Sequence, residues 1–595
     1  MLAAGVAALL LVARNDLPPL QRPWSFGLVF WGWFALAYAV LLGGAFAAVA
    51  LAARLLRAPR LLRLLPAFVA LGFLGSVLLQ NSRALRGLVS LSGPWRFRVL
   101  APVALGLLTL GLVAIALDRR RTQRGVFAVA SLLTAAALLP PRPAAGAAAP
   151  VPPRISGERV LLIGLDGGDW RYLDALMAQG ELPRLAALKA RGAWGPLRTF
   201  RPTLSPAIWT TIATGRRVED HGVHDFNYRR LLGVGQPYPE LRAIRGVGFP
   251  WLEDALRAQR QIRSAPISSV VRRVPAFWDI AAARSSPVAI LNWWATWPAE
   301  PVPGHMLSER AYHAFAGLGD EPGLVFPQSL EPELRRLAQQ PEGVSYEDAR
   351  RFTDITAEEW GVRERVLSVN RGALRQELAY YLSLFETTRR VSLRLMQEGR
   401  RAFGAPADQL VLFRLVDMAC HAALLESELL PRVFPAADPP AAGSRSSPRA
   451  VSEAYRAVDR VIGELVEEFG EGHVIVVSDH GFDVEWKEGR VLAHHNRAPD
   501  GVFLAAGPAI RPGRVDELTV FDVLPILLYL KGWPTAEDFP GTLPRRLFRV
   551  ERLEASPPQR IASHGSREAP SLEDAGSGAV DAEIEERLRA LGYVE

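Results

Sequence analysis

Five short segments of this 595-residue chain carry residue types that could do chemistry. LIGLDGGDW sets Asp166 behind an apolar run, and the glycines that follow it let backbone approach a ligand closely. LVDMACHAALL spaces Asp417 and His421 four apart, so a helix beginning at the aspartate would put both on one face, within reach of one metal ion. VVSDHGF places Asp479 and His480 side by side after another apolar run, where a loop can turn both inward. AHHNRAPDGVFLAAGP adds His494 and His495 just ahead of a further run. RPTLSPAIWTTIATG (201–215), followed by HGVHDF, offers the hydroxyls of Thr203, Ser205, Thr210, Thr211 and Thr214, although a Ser- or Thr-capped helix is its plainer reading. Each signal alone is weak. Cys420 is the single cysteine, so no intrachain disulfide forms and a Cys-rich zinc site is disfavoured, leaving any metal to Asp, Glu and His. No glycine-rich P-loop is present, so nucleotide-driven chemistry is not indicated.

The elements that must position these residues are legible as short apolar runs. VLLIGL (160–165), VAILNWW (288–294), LVLFRLV (410–416), HVIVVS (473–478) and VFLAAG (502–507) have the pattern of buried strands, with helix-like stretches at 172–191, 361–402 and 449–469 between them. The alternation predicts an α/β fold with a largely parallel central sheet flanked by helices. Ligands of such sheets bind beyond the carboxyl ends of the strands. Asp166, Asp417 and Asp479 each fall at or just after such an end. The stretches 225–285 and 300–400 have the look of insertions that form a lid. The polar stretch 555–580 is expected to be disordered, and 581–595 has the pattern of a short amphipathic helix.

Together, strand-Asp-Gly, a hydroxyl ahead of T-G, H-G, D-x-x-x-H, D-H-G and a late histidine, in that order over 155–510, resemble the alkaline phosphatase superfamily in its nucleotide pyrophosphatase/phosphodiesterase branch. The resemblance implies an alkaline-phosphatase-like catalytic domain over 155–550 with lid insertions within 225–400. It also implies two divalent metal ions, usually zinc. Asp166, Asp479 and His480 would hold one with the oxygen of the nucleophile; Asp417, His421 and the late histidine would hold the other. The nucleophile of the family lies ten residues before the glycine of T-G, which selects Ser205 over Thr203; spacing to Gly501 selects His495 over His494 by a small margin. His221 of H-G is expected to be architectural. There are departures. Nucleotide-hydrolysing members carry threonine and a nearby asparagine, whereas here Ile208 stands in the asparagine's place, so the phosphate-oxygen donor must lie elsewhere, with Thr210 or Thr211 as candidates. Cys420 is not in the sulfatase motif. LNWWATWPAEPV (291–302) looks like a recurring element of the bacterial branch that could line the cleft, although aromatics are more often core.

Charge and hydropathy divide the chain. The mean hydropathy is +0.10 and the pI about 9.8, yet the basic excess sits in residues 1–150, which hold Arg without Lys and only two acids, Asp16 and Asp118. There the arginines punctuate apolar runs, a pattern of membrane loops rather than of nucleic-acid binding. A span requires about 20 apolar residues. Segment 26–53 suffices, with 64–80, 99–117, 125–139 and a weaker 1–13 as further spans, giving an α-helical transmembrane region of about five helices over 1–141. Arg54, Arg57, Arg60 and Arg63, and Arg119, Arg120, Arg121 and Arg124, mark two cytoplasmic loops. A Pro/Ala-rich linker (142–154) then leads outward, and 551–595 forms a polar tail. The expected protein is a multi-pass protein of the cell membrane whose catalytic domain is periplasmic or extracellular. Its substrate would be a phosphate ester, free or linked to a lipid or glycan, hydrolysed through a phosphoseryl intermediate; no nucleic acid is expected. Alternatives are a transferase moving a phospho-headgroup onto a lipid or envelope glycan, and a non-catalytic membrane binder, which would have lost ligands that are all present here. A transporter is disfavoured because the apolar runs contain no acid.

Overall fold

A computed structural model describes residues 158–231, 262–316, 321–339, 344–358, 374–434, 447–487, 490–495 and 498–567. The expected membrane region, the linker, residues 232–261 of the 225–285 insertion and the helix at 581–595 lie outside the described residues. Among the described residues no helix is long and apolar enough to cross a membrane. The chain divides into two units. The first comprises 1–145 and 228–264, and its described part belongs to a two-stranded sheet of β3 and β4; the second, 146–227 and 265–595, holds everything else.

The strands are β1 (Val160–Leu165), β2 (Ala193–Leu197), β3 (Asn227–Leu231), β4 (Ile262–Pro266), β5 (Val288–Leu291), β6 (Gly304–Leu307), β7 (Val325–Phe326), β8 (Asp408–Phe413), β9 (His473–Val477), β10 (Asp483–Lys487), β11 (Arg490–His494), β12 (Gly501–Ala506), β13 (Gly513–Arg514), β14 (Thr535–Ala536) and β15 (Arg560–Ile561). Nine of them form one sheet in the order β13-β2-β12-β9-β1-β8-β5-β6-β7. Its centre, β9-β1-β8-β5-β6, is parallel throughout, while β12 and β7 run against their neighbours. β1, β8 and β9 are buried along their whole length. This is why they are continuous apolar runs rather than alternating ones.

Alternate residues face two helical layers. Leu162, Ile290, Leu412 and Val477 share a core with Trp209, Ile212, Leu524 and Leu527 from the helices Ser205–Thr214 and Val523–Leu530. On the other face, Phe413 meets Phe385 of the long helix Leu374–Phe403 at 5.3 Å between rings. Gly164 makes the first layer possible: a Cβ there would lie 2.8 Å from the Trp209 ring. The helix bearing Ser205 therefore presses directly on β1.

Several sequence expectations shift. The strand expected to 416 ends at Phe413, because a helix, Leu415–Ala423, starts before Asp417. The stretch 172–191 breaks into two helices, Trp170–Ala178 and Pro183–Arg191, around Gly180 with φ +75° and the helix-starting Pro183. Part of the stretch expected as an insertion adds β6 and β7 to the sheet edge. The polar residues 555–567 are not disordered: β15 pairs with β14, and Arg567 pairs with Glu300. Buried acids hold a segment whose own apolar content is too low to do so.

At the amino edge of the sheet, Asp408 accepts from Val160 N at 2.9 Å and pairs with Lys531 Nζ at 2.8 Å, both side chains nearly without solvent contact. Removing one partner of such a pair strands a buried charge. Lys531→Met should therefore lower unfolding free energy by about 3 kcal/mol or more in urea titration, and the double variant Asp408→Asn/Lys531→Met should recover much of it.

Candidate active site

The strand order places the ends of β9, β1 and β8 side by side, and an acid follows each. Asp166 N donates to Phe413 O at 2.9 Å, and Asp417 N donates to Asp166 O at 3.1 Å, so backbone fixes the two carboxylates relative to each other. Gly167 N donates to Asp479 Oδ1 at 3.4 Å. Gly167 has φ +74°, and a Cβ on it would lie 2.9 Å from the Cα of Asp417. Only glycine allows the three strand ends to approach this closely. Asp166, Asp417 and Asp479 are 2%, 4% and 0% exposed, too buried for solvent to separate their charges.

Ser205 opens a ten-residue helix whose positive end favours an anion there. Its Oγ donates to Asp166 Oδ1 at 3.1 Å and lies 3.2 Å from His480 Nε2. Thr203 is placed differently: its hydroxyl donates to the carbonyl of His495, whose Nδ1 donates back to Thr203 O at 2.9 Å. His495 thereby sits over the site, its ring stacked on His480 at 4.2 Å, while His494 ends β11 in register with Asp483. His421 Nε2 is 3.5 Å from Asp417 Oδ1, and its ring is 5.0 Å from that of His495. All seven candidate residues thus converge. Thr210 and Thr211 do not join them as oxygen donors. Inside the helix, Thr210 back-bonds to Pro206 O at 2.7 Å and Thr211 pairs with His221 Nε2 at 3.0 Å. His221 also accepts from Val223 N and so holds the turn behind the helix.

The donor set fits divalent cations. Two groups have ligand atoms mutually within 4.8 Å: Asp166, Asp479 and His480, and Asp417, His480 and His495. His480 Nδ1 donates to Gly481 O at 3.0 Å, since a carbonyl can only accept, which leaves a lone pair on Nε2. That lone pair faces Asp479 Oδ2 at 3.3 Å and Asp166 Oδ1 at 3.6 Å. A lone pair against two carboxylate oxygens is repulsive unless a proton or a cation stands among them, and a metal ion displaces the proton. The second ring nitrogen bound to a backbone carbonyl, at His480 and at His495, is the arrangement that orients metal-ligating histidines. Burial lowers the pKa of His421 to about 3, with His480 adding to the effect, and depresses those of His480 and His495. Burial, reinforced by the charges of Asp166 and Asp417, pushes Asp479 well above the carboxylate range.

Residues 160–496 match the model of the type I phosphodiesterase/nucleotide pyrophosphatase family. The chain belongs to this family. It is accordingly a phosphoric ester hydrolase of the alkaline phosphatase superfamily. Similar solved structures include murine ectonucleotide pyrophosphatase/phosphodiesterase 5, in an inactive form in complex with AMP, at 12% identity over 67% of this chain and 99% of that one, with a TM-score of 0.34. Its human counterpart scores the same. Phosphonoacetate hydrolase from Sinorhizobium meliloti 1021, in complex with phosphonoformate, is 14% identical over 56% of this chain and 60% of that one, with a TM-score of 0.31. These scores are too low to bear on substrate or mechanism. No curated protein matches.

Within the family frame, Ile208 is fully buried in the core beside Trp209. Cys420 is buried too, its thiol pushed well above its ordinary pKa by burial and by Asp417, so it is inert. Sequence reasoning passed over Arg414, the residue between β8 and the helix of Asp417. Its one signal was a lone cation inside the apolar run LVLFRLV.

Neutral histidines bind a cation without losing a proton, whereas Asp479 must lose one. Divalent metal binding should therefore release about one proton per site, read by calorimetry in buffers of different ionisation enthalpy. The release should be greatest between the ordinary carboxylate range and the raised Asp479 pKa and fade above it. Asp479→Asn should remove it.

Proposed function

We propose that the protein hydrolyses phosphate esters through a covalent phosphoseryl intermediate on Ser205, at a site that takes two divalent metal ions, zinc by its donor set of imidazoles and carboxylates. The observation that carries this reading is the Ser205 hydroxyl, held between Asp166 and His480 inside the cluster of buried acids. A serine hydroxyl alone is a poor nucleophile at neutral pH. When bound, the metal ions would lower its pKa and offset negative charge on the reacting phosphoryl group. Asp166, Asp479 and His480 would hold the ion nearest the hydroxyl, and Asp417, His421 and His495 the other. Ser205 Oγ attacks phosphorus, the bond to the leaving oxygen breaks, and the hydroxyl proton, directed at Asp166 in the resting site, passes to solvent. Water then cleaves the phosphoseryl ester and restores the hydroxyl. The helix that Ser205 opens aims its positive end at the anion throughout.

The catalytic part is proposed to be periplasmic or extracellular, tethered by spans within 1–141. The charge-free run 26–53 and the arginine-rich segments at 54–63 and 118–124 support that arrangement. Lipid- or glycan-linked phosphate esters are then within reach of the site. Transfer of a phospho-headgroup to an acceptor alcohol would use the same phosphoseryl intermediate.

Ser205→Ala should lower kcat/KM for bis(p-nitrophenyl) phosphate by at least about 10³-fold while leaving metal content near that of the wild type; full activity in that variant would rule the mechanism out. For the full-length chain in a bacterial host, protease added to spheroplasts should digest the catalytic part. Protection until detergent is added would reverse the orientation.

A further inference from the structure

Beyond the ligands, the same sheet edge continues to the end of β5. Asn292, with φ +56°, and Ala295, with φ +58°, bracket Trp293 and Trp294 in a turn of two left-handed non-glycine residues. Such residues are costly and cluster where a fixed side-chain position matters. Trp293 is fully buried and donates to Trp209 O at 3.0 Å, which pins this loop to the helix that Ser205 opens. Trp294 turns the other way. Its ring lies under the guanidinium of Arg414, 3.9 Å from Cζ to the ring centroid, and meets Phe226 edge-on at 5.4 Å. Arg414 and Trp294 are both partly exposed.

Arg414 spends little of its hydrogen-bonding capacity on the protein. It donates to Asn292 O at 3.1 Å. Its Nε has no partner, nor does Trp294 Nε1; Asp166 and Glu309 act on its charge against the burial that weakens it, but neither forms an ion pair with it within 4 Å. Arg272, also buried, is different: it is bound to both Asp279 and Glu300. A guanidinium presents five donors in a planar fork suited to carboxylate or phosphate. Here the indole fixes the plane of that fork, one strand away from Asp166.

We propose that Arg414, stacked on Trp294, forms a subsite for a second anionic group, a carboxylate or a further phosphate, on the part of the substrate beyond the phosphorus that Ser205 attacks. The subsite would select anionic over neutral esters. It would disfavour cationic headgroups, because Arg414 covers the indole face that a quaternary ammonium would otherwise use. This rests on the hydrolytic reading of the site and adds the class of ester.

The test compares p-nitrophenyl phosphodiesters whose second substituent is propyl, 2-carboxyethyl, 2-phosphonoethyl or choline, so that the leaving group stays constant while charge varies. In the wild type both anionic esters should exceed the propyl ester in kcat/KM by about tenfold or more, and the choline ester should be poorest. The better of the two anionic arms identifies the group. Arg414→Gln should cut the anionic-to-propyl ratio by about tenfold, mainly through KM, and Arg414→Lys should restore part of it. Trp294→Phe, which keeps a ring under the fork, should lower the ratio less than Arg414→Gln does, and it serves if the glutamine variant fails to fold. A wild type indifferent to charge, or one preferring choline, would overturn the proposal. So would an Arg414→Gln loss equal across all four esters, which would assign Arg414 to the transferring phosphoryl group. If no ester is turned over, the hydrolytic reading fails by itself. Calorimetric binding of 2-carboxyethylphosphonate against propylphosphonate to wild type and Arg414→Gln then decides the subsite, equal affinities counting against it.

Discussion

Asp166, Asp417 and Asp479 are held against one another at the ends of β1, β8 and β9, all but sealed from water. Like charges in a poorly polarisable interior repel strongly, and each also loses hydration. Backbone bonds from Asp166 N and Asp417 N keep the strand ends from parting, and Gly167 removes the side chain that would hold them apart. The rest of the site answers this constraint. Histidines face the carboxylates with lone pairs rather than protons, a choice imposed at His480 by Gly481 O and at His495 by Thr203 O. An array of lone pairs and negative oxygens around a shared space calls for cations.

The same constraint explains how the proposed nucleophile is seated. The Ser205 helix must lie against β1 for its hydroxyl to reach Asp166, and Gly164 opens that path for Trp209. Once seated, the helix is locked by the indole of Trp293, by His221 on Thr211 and by the buried packing of Ile208 and Ile212. The proposed displacement at phosphorus requires a rigid hydroxyl beside a fixed donor set, because misplacement by an ångström costs rate steeply. The nearby Arg414 lies under the influence of Asp166 and Glu309 without an ion pair to either, and donates to Asn292 O.

Much of the chemistry was legible in the sequence. The apolar runs located β1, β8, β9 and β12, since strands buried on both faces have no polar residues to interrupt them. The aspartates that follow three of those runs were visible for the same reason. Register was less accessible. The strand before Asp417 stops at Phe413 because the helix that follows starts early, and apolar content alone cannot distinguish the last strand residue from the first helical one. β12 has the same composition as its neighbours yet runs antiparallel, which composition does not record. Residues 555–567, polar enough to suggest disorder, are held through Arg567 by Glu300, an acid 267 positions away in the chain.

By itself, then, the sequence determined which residue types are available and where each stands relative to a strand end: Asp166, Ser205, Asp417, His421, Asp479, His480 and the pair His494 and His495. These are local properties, set by periodicity and nearest neighbours. Only the tertiary structure decided that β9, β1 and β8 are adjacent, that His495 stacks on His480 while His494 stands opposite Asp483 in the ladder, and that Thr210 and Thr211 are spent within their own surroundings. It also set Arg414 on Trp294, 120 residues earlier in the chain and one strand over in the sheet. Strand order and the direction of a side chain depend on packing between distant segments, and no local pattern encodes that.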